Sequence, residues 1–322
     1  MARRRVMILV ENQYQELELW YPLLRLREEG IEARLVGTST EETFLGRHGF
    51  PARAEVITSS VSSRDFDGII IPGGFAPDYL RRFPVVLTLV REYYQQGKLI
   101  GALSRAPWVL ISADIVRGKR ITGLFSIKDD VVNAGGDFVN LPVVADGNII
   151  TAQGPEELPL FMKEVLLFLW QNSIRIGESC PDSWLTDTGG TRVLLSQVIA
   201  GKGAVLLFFD SVLSPSSEKL LPAYNTLSDT ITKRGGLFIG ISSDAFFVQR
   251  VFINRSSVSF PLYSDPALDT IKAFGVLSRE YLAAWTVFIV DRNGTIRYGE
   301  SCPGGDIETL PGFQKKLEVI LG

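Results

Sequence analysis

The sequence predicts two α/β units joined end to end, the first built on a parallel sheet. Three observations carry that expectation. Short apolar runs rich in β-branched residues alternate with stretches of helical spacing, the pattern of a parallel sheet covered on both faces. Two of these runs lead into helix starts of the kind that expose a nucleophile, at Ser104 in Gly101-Ala102-Leu103-Ser104-Arg105-Ala106 and at Ser217 in Leu213-Ser214-Pro215-Ser216-Ser217-Glu218. The alternation then stops, crosses a polar, glycine-bearing stretch at 171–180, and restarts. The expected domains are residues 1–172 and 173–322.

In the first unit, residues 6–10 form an apolar strand. Residues 16–29 carry Leu17, Trp20, Leu23, Leu24 and Arg27 at helical spacing, and Gly30 closes that helix. A second strand covers 31–36. Asp67-Gly68-Ile69-Ile70-Ile71 is a buried strand running into the Gly73-Gly74 turn. A helix at 84–96 is stopped by Gly97. Residues 99–103 are another buried strand, with a helix beginning at Pro107 behind it. An apolar helix ends at 165–170. In the second unit, strands are expected at 204–209 and 237–241, with a helix over 214–232 that has Pro215 in its first turn. A strand at 285–290 meets the turn Asp291-Arg292-Asn293-Gly294 and returns along 295–298, a hairpin. A closing helix covers 314–320.

The chain has 322 residues, 46% hydrophobic and 21% charged, which suits two globular domains each able to bury a core. The net charge of −3 gives no general attraction to nucleic acid or an anionic membrane. Arg3-Arg4-Arg5 resembles the start of a signal peptide, but the apolar run after it ends at Val10. No apolar run approaches the roughly 18 residues of a membrane span. The expectation is a soluble, cytoplasmic protein with neither nucleic-acid nor membrane partners. There are two cysteines and one histidine, His48, so a Cys/His zinc site is excluded and no metal or other cofactor is expected.

The first half resembles the ThiJ/PfpI superfamily over residues 5–171. The resemblance is carried by Leu19-Trp20-Tyr21-Pro22, Gly46-Arg47-His48-Gly49, Ile71-Pro72-Gly73-Gly74, Leu110-Ile111-Ser112-Ala113, Ile127-Lys128-Asp129-Asp130, Asn133-Ala134-Gly135-Gly136 and Asp146-Gly147-Asn148-Ile149-Ile150-Thr151. It implies a flavodoxin-like, class I glutamine amidotransferase-like parallel sheet. It also implies a nucleophile elbow in which cysteine attacks, the next histidine sets its ionisation, and a glutamate from the first strand–helix loop contacts the thiol. Those places here hold Ser104, Arg105 and, in the stretch Tyr14-Gln15-Glu16-Leu17, Gln15. A serine needs a base, arginine stays protonated, and glutamine does not titrate. The thiol-dependent glyoxalase, deglycase-like and protease activities of the family are therefore expected to be absent. Gly73, Gly74, Ser104 and Arg105 form a candidate pocket for a small anion; the alternative is a relic elbow, with Arg105 paired to Glu16 or Glu18 or lying at a subunit contact. His48 is read as structural.

The second half, residues 177–322, resembles the alkyl hydroperoxide reductase/thiol-specific antioxidant (peroxiredoxin-like) family on a thioredoxin fold. The opening Gly177-Glu178-Ser179-Cys180-Pro181-Asp182, the central Phe260-Pro261-Leu262-Tyr263-Ser264-Asp265-Pro266 and the hairpin Phe288-Ile289-Val290-Asp291 carry this. The family's antioxidant, oxidoreductase chemistry needs a cysteine in a helix first turn and a distant arginine that together stabilise thiolate. Ser214 and Pro215 match the helix start, Ser217 stands for the cysteine, and Trp285 for the arginine, with Arg279 or Arg250 as spatial substitutes. Peroxidase activity is expected to be absent, with Ser217 reduced to a first-turn residue near the cap Ser214.

Both cysteines lie in a short repeat, Ile174-Arg175-Ile176-Gly177-Glu178-Ser179-Cys180-Pro181 and Ile296-Arg297-Tyr298-Gly299-Glu300-Ser301-Cys302-Pro303. Cys180 and Cys302 are read as isolated thiols, with a disulfide between them as the alternative. The expected function is a two-domain pseudoenzyme with a binding, oligomerisation or stress-related role. The alternatives are a hydrolase or glyoxalase-like enzyme using Ser104, and a thiol oxidoreductase using Cys180 and Cys302. Both resemblances imply a homo-oligomer.

Overall fold

The computed structural model describes residues 4–38, 43–171, 176–303, 305–307 and 310–321. It divides into two compact units, Met1–Leu169 and Trp170–Gly322. The boundary expected at 172/173, and Ile174 and Arg175 of the repeat, lie outside the described residues, as does Arg3.

The first unit runs β1 (Arg5–Val10), α1 (Glu16–Glu28), β2 (Glu32–Gly37), β3 (Thr43–Leu45), β4 (Pro51–Arg53), β5 (Val56–Ile57), β6 (Gly68–Ile71), α2 (Ala76–Leu80), α3 (Pro84–Gln95), β7 (Leu99–Leu103), α4 (Pro107–Ser112), β8 (Arg120–Ile121), α5 (Lys128–Asn133), β9 (Asp137–Phe138), β10 (Val143–Asp146), β11 (Ile149–Ala152) and α6 (Leu158–Gln171). Its sheet has the order β10-β11-β7-β6-β1-β2-β5, parallel except for the β10–β11 pair. Strands β6 and β7 are buried along their whole length, which is why they read as unbroken apolar runs. The chain leaves β1 towards β2 on one side and returns to β6 on the other. That reversal puts a topological switch point at the carboxyl ends of β1 and β6, the place where such sheets bind ligands.

The second unit runs β12 (Trp184–Asp187), β13 (Arg192–Leu194), α7 (Leu195–Ile199), β14 (Ala204–Phe208), α8 (Pro215–Ala223), α9 (Asn225–Lys233), β15 (Leu237–Ser242), α10 (Phe246–Arg255), β16 (Leu262–Ser264), α11 (Asp269–Ala273), β17 (Thr286–Val290), β18 (Ile296–Ser301) and α12 (Phe313–Leu321). The sheet order is β13-β12-β16-β15-β14-β17-β18, parallel for β14–β15–β16 and antiparallel elsewhere. One core includes Val205, Leu207, Phe209, Phe238, Trp285 and Phe313. This is the mixed sheet of a thioredoxin-like domain.

One expected helix is divided. The stretch 214–232 forms two helices, α8 and α9, meeting at Tyr224. Pro222 has no N–H to give the preceding turn, and the Tyr224 N–H closes on Leu221 O at 3.2 Å, one residue tighter than an α-helical bond.

Candidate functional site

The elbow of the first unit keeps its shape without its thiol. Ser104 follows β7 directly and has φ +55°, a left-handed conformation uncommon for a residue with a side chain. Its backbone is fixed on both sides: Ser104 N–H donates to Ala152 O and Ser104 O accepts from Leu124 N–H, both at 2.9 Å. The helix that follows, α4, has only six residues and starts at Pro107, so its dipole lends the serine little.

The carboxyl beside Ser104 is Glu18. This corrects the expectation that position 15 fills that place. Gln15 caps α1, its side-chain oxygen accepting from Glu18 N–H at 2.9 Å. Glu18, one turn further, is fully buried, and its Oε2 accepts from Gly73 N–H at 2.6 Å. A Cβ added at Gly73 would stand 2.5 Å from Glu18 Oε2 and 2.6 Å from Ser104 Cβ, so carboxyl and elbow flank the same point. Glu18 Oε1 has no hydrogen-bond partner. Burial pushes the Glu18 carboxyl up to about 7, against the opposing pull of the Gly73 bond and the Arg105 charge.

Sequence reasoning missed Glu18, although a signal was present. It stands in the helix stripe Glu18, Leu19, Pro22, Leu23 and Leu26 that packs inward, the one charge in that set.

Arg105 does not pair with Glu16, and no carboxylate of the described residues lies within ion-pair distance of it. Its guanidinium stacks on the Phe75 ring, 4.7 Å from the centroid, and reaches Gly74 O at 3.5 Å. Glu16 is taken by His48, whose backbone N–H and Nδ1 approach its two oxygens at 2.5 and 2.9 Å. Burial raises the Glu16 carboxyl, and the bonds from His48 outweigh it, so the group ends below its usual range. The largely exposed His48 thus ties the turn between β3 and β4 to α1. The same turn carries Arg47, which also faces Phe75, at 5.7 Å from the centroid.

In the second unit Ser217 is fully buried. Ser214 caps α8 by accepting from Ser217 N–H at 3.2 Å. The Asp210 carboxylate stands at the same helix start. Its Oδ1 accepts from Ser214 Oγ (2.9 Å), Ser217 Oγ (3.2 Å), Ser211 N–H (2.8 Å) and Trp285 Nε1 (3.1 Å). Trp285 therefore holds an acid where an arginine would hold an anion. Of the two proposed substitutes, Arg250 stacks on Phe246 at 5.9 Å. Asp210 is a second residue the sequence reading missed, since nothing in a strand end reading Phe208-Phe209-Asp210 sets it apart from a turn former.

Cys180 and Cys302 are free thiols, which removes the disulfide alternative. Cys180 N–H donates to Gly294 O at the turn of the β17–β18 hairpin, whereas Cys302 follows β18 at the hairpin's other end, with its N–H on Trp285 O. The six-residue strand between these ends spans about 20 Å, against the roughly 7 Å limit between Cα atoms of a disulfide. Burial pushes both thiols up to about 12, away from thiolate chemistry. Among the described residues no group of three or more His, Cys, Asp or Glu side chains is arranged to hold a metal ion, and no helix is long and apolar enough to cross a membrane.

Comparison with known proteins agrees with this division. Residues 4–167 match the model of the DJ-1/PfpI family, and residues 176–299 that of the AhpC/TSA family. An uncharacterised protein of Archaeoglobus fulgidus is 40% identical over 165 residues, covering 51% of this chain and 98% of that protein. A deglycase of Pyrococcus abyssi is 36% identical over 165 residues, covering 51% and 99%. A crystal structure of a two-domain protein from Anabaena variabilis, with DJ-1/ThiJ/PfpI-like and ferritin-like domains, is similar at 36% identity and a TM-score of 0.50; the match covers 51% of this chain and 47% of that one. The chain belongs to the DJ-1/PfpI family through its first half and carries an AhpC/TSA family domain in its second.

Proposed function

We propose that this protein carries out no thiol catalysis in either domain and that its DJ-1/PfpI elbow serves as a binding site for a small anion. The observation that carries the reading is Arg105. It replaces the base of the elbow with a permanent cation that stacks on Phe75 and reaches Gly74 O, with no carboxylate of the described residues at ion-pair distance. The retained left-handed conformation of Ser104 supports it, because such strain persists where surrounding structure enforces it. In the AhpC/TSA domain, a buried hydroxyl hydrogen-bonded to Asp210 supports a structural role. Self-association belongs to the same proposal: DJ-1/PfpI proteins are commonly oligomeric, and Leu17, Tyr21 and Leu24 leave an apolar face exposed on α1.

The test has two arms. Calorimetric titration with acetate and inorganic phosphate is expected to show binding that Arg105→Ala removes. Assays with hydrogen peroxide plus dithiothreitol, and with a glyoxal, are expected to show no turnover. Turnover that disappears in Ser104→Ala or Ser217→Ala would overturn the reading.

A second reading is favoured by one observation: the Glu18 carboxyl flanks the elbow of Ser104, and its Oε1 has no partner. In it Glu18 accepts the Ser104 proton, the serine oxygen attacks an ester carbonyl to form an acyl-serine, and the departing alcohol takes the proton back from Glu18. A fluorophosphonate probe labelling Ser104 in the wild type but not in Glu18→Gln supports this reading, and absence of labelling removes it.

A further inference from the structure

We infer that the anion held at the elbow is the phosphate group of a small hydroxylated molecule, gripped by Arg47 and Arg105 together. This rests on the reading that the elbow binds an anion, and adds what kind. The two arginines come from different elements, the β3–β4 turn and the elbow, yet both guanidiniums lie within 6 Å of the centroid of one ring, Phe75 (5.7 and 4.7 Å). No carboxylate of the described residues lies within ion-pair distance of either; Glu16 on α1 is engaged by His48, and Glu18, whose carboxyl feels the Arg105 charge, is bonded to Gly73 N–H. Two cations set around one ring, neither within ion-pair distance of a carboxylate of the described residues, favour a dianion over a monoanion. A phosphate presents three oxygens, enough for two guanidinium forks, where a single carboxylate satisfies only one. Phe75 is 43% exposed, so the ring and its two cations are open to a solute.

The second half of the ligand is specified by Glu18. Its carboxyl is fully buried and flanks Ser104 through the shared approach to Gly73, and it uses only Oε2. Oε1, buried without a partner, is an acceptor short of a donor. Glu157 also bears on this carboxyl and disfavours its charge. A hydroxyl of the ligand, placed beside the phosphate, supplies the missing hydrogen bond. A phosphate monoester of a small polyol carries both groups; inorganic phosphate carries only the first.

The experiment is calorimetric titration of the full chain with acetate, succinate, inorganic phosphate and glycerol 3-phosphate, with thermal melts confirming that each variant is folded. The expected order is glycerol 3-phosphate tightest, inorganic phosphate next, and acetate weaker than phosphate by about tenfold. Arg47→Ala is expected to lower phosphate affinity about tenfold while acetate affinity falls less than threefold. Glu18→Gln, which puts an amide N–H₂ in place of Oε1, is expected to erase the advantage of glycerol 3-phosphate over phosphate. Equal affinity for acetate and phosphate, with no effect of Arg47→Ala, would overturn the phosphate assignment and leave the anion site standing. Succinate binding more tightly than phosphate would do the same. Phosphate binding as tightly as glycerol 3-phosphate would overturn the hydroxylated ester. No binding of any anion would overturn both this inference and the anion site beneath it.

Discussion

A carboxyl inside an apolar helix stripe has consequences for stability as well as for binding. The Glu18 carboxyl is raised to about 7 by burial, from 4.5 in the unfolded chain. Below pH 4.5 both states hold the proton and the group makes no pH-dependent contribution. As pH rises from 4.5 to 7 the unfolded chain releases its proton while the folded one keeps it, so stability falls across that window. The loss is on the order of 3 kcal/mol and levels off above pH 7. Asp265, also buried and raised to about 7, acts in the same window in the other domain, so the variant must be compared with the wild type. Glu18→Gln, which keeps an oxygen for Gly73 N–H, is expected to be more stable than wild type at pH 8 and no more stable at pH 4. Urea unfolding at the two pH values measures this, and equal differences at both would contradict it. Ser217 supports a second prediction. A thiol placed there by Ser217→Cys meets the Asp210 carboxylate, which disfavours the thiolate. Its reaction with hydrogen peroxide is expected to be no faster than that of free cysteine. A rate a thousandfold above free cysteine, followed by thiol titration, would show that Asp210 does not control the site.

The turn after β6 decides whether the first site exists at all. Gly73 admits no side chain: a Cβ there would crowd Glu18 Oε2, Ser104 Cβ and Leu103 O at 2.5, 2.6 and 2.8 Å. Gly73→Ala is expected to cost about 2–3 kcal/mol by overpacking and to abolish anion binding; a normal melting temperature with normal binding would show that the turn relaxes freely. At the other site, Ser214→Ala removes the cap of α8 and one donor to Asp210, with an expected loss of about 1 kcal/mol read from urea unfolding. These elements also mark what the sequence could and could not disclose. Strands β6 and β7 were legible because they are buried on both faces and read as continuous apolar runs. The β17–β18 hairpin was legible because Asp291-Arg292-Asn293-Gly294 demands a turn. The elbow was legible as a place, because Ser104 follows a strand and precedes Pro107. Its partners were not. Glu18 and Arg47 meet Ser104 and Phe75 through contacts between elements distant in sequence, and no local periodicity encodes such contacts. The junction at Tyr224 was missed for a local reason: the apolar spacing continues through Pro222, while the hydrogen bonds do not.

At the scale of the whole chain, each unit closes its own seven-stranded sheet. The groups proposed to hold the anion all lie in the first: Glu18 on α1, Arg47 in the β3–β4 turn, Phe75 before α2, and Ser104 and Arg105 after β7. The Asp210, Ser214, Ser217 and Trp285 network lies wholly in the second. Buried apolar residues are abundant in both, from Val6 to Leu169 and from Leu185 to Leu317, and each unit is in the size range at which a single core sustains a fold. We therefore propose residues 1–172 and 173–322 as independently folding domains. Expressed as separate polypeptides, each is expected to unfold cooperatively in a thermal melt followed by circular dichroism. The 1–172 polypeptide is expected to bind phosphate within about threefold of the full chain, an affinity change below 1 kcal/mol. If either polypeptide gives no cooperative transition, the division into independent domains fails. If 1–172 folds but loses phosphate binding more than tenfold, the second domain contributes to the site, and the assignment of the anion to the elbow residues alone falls.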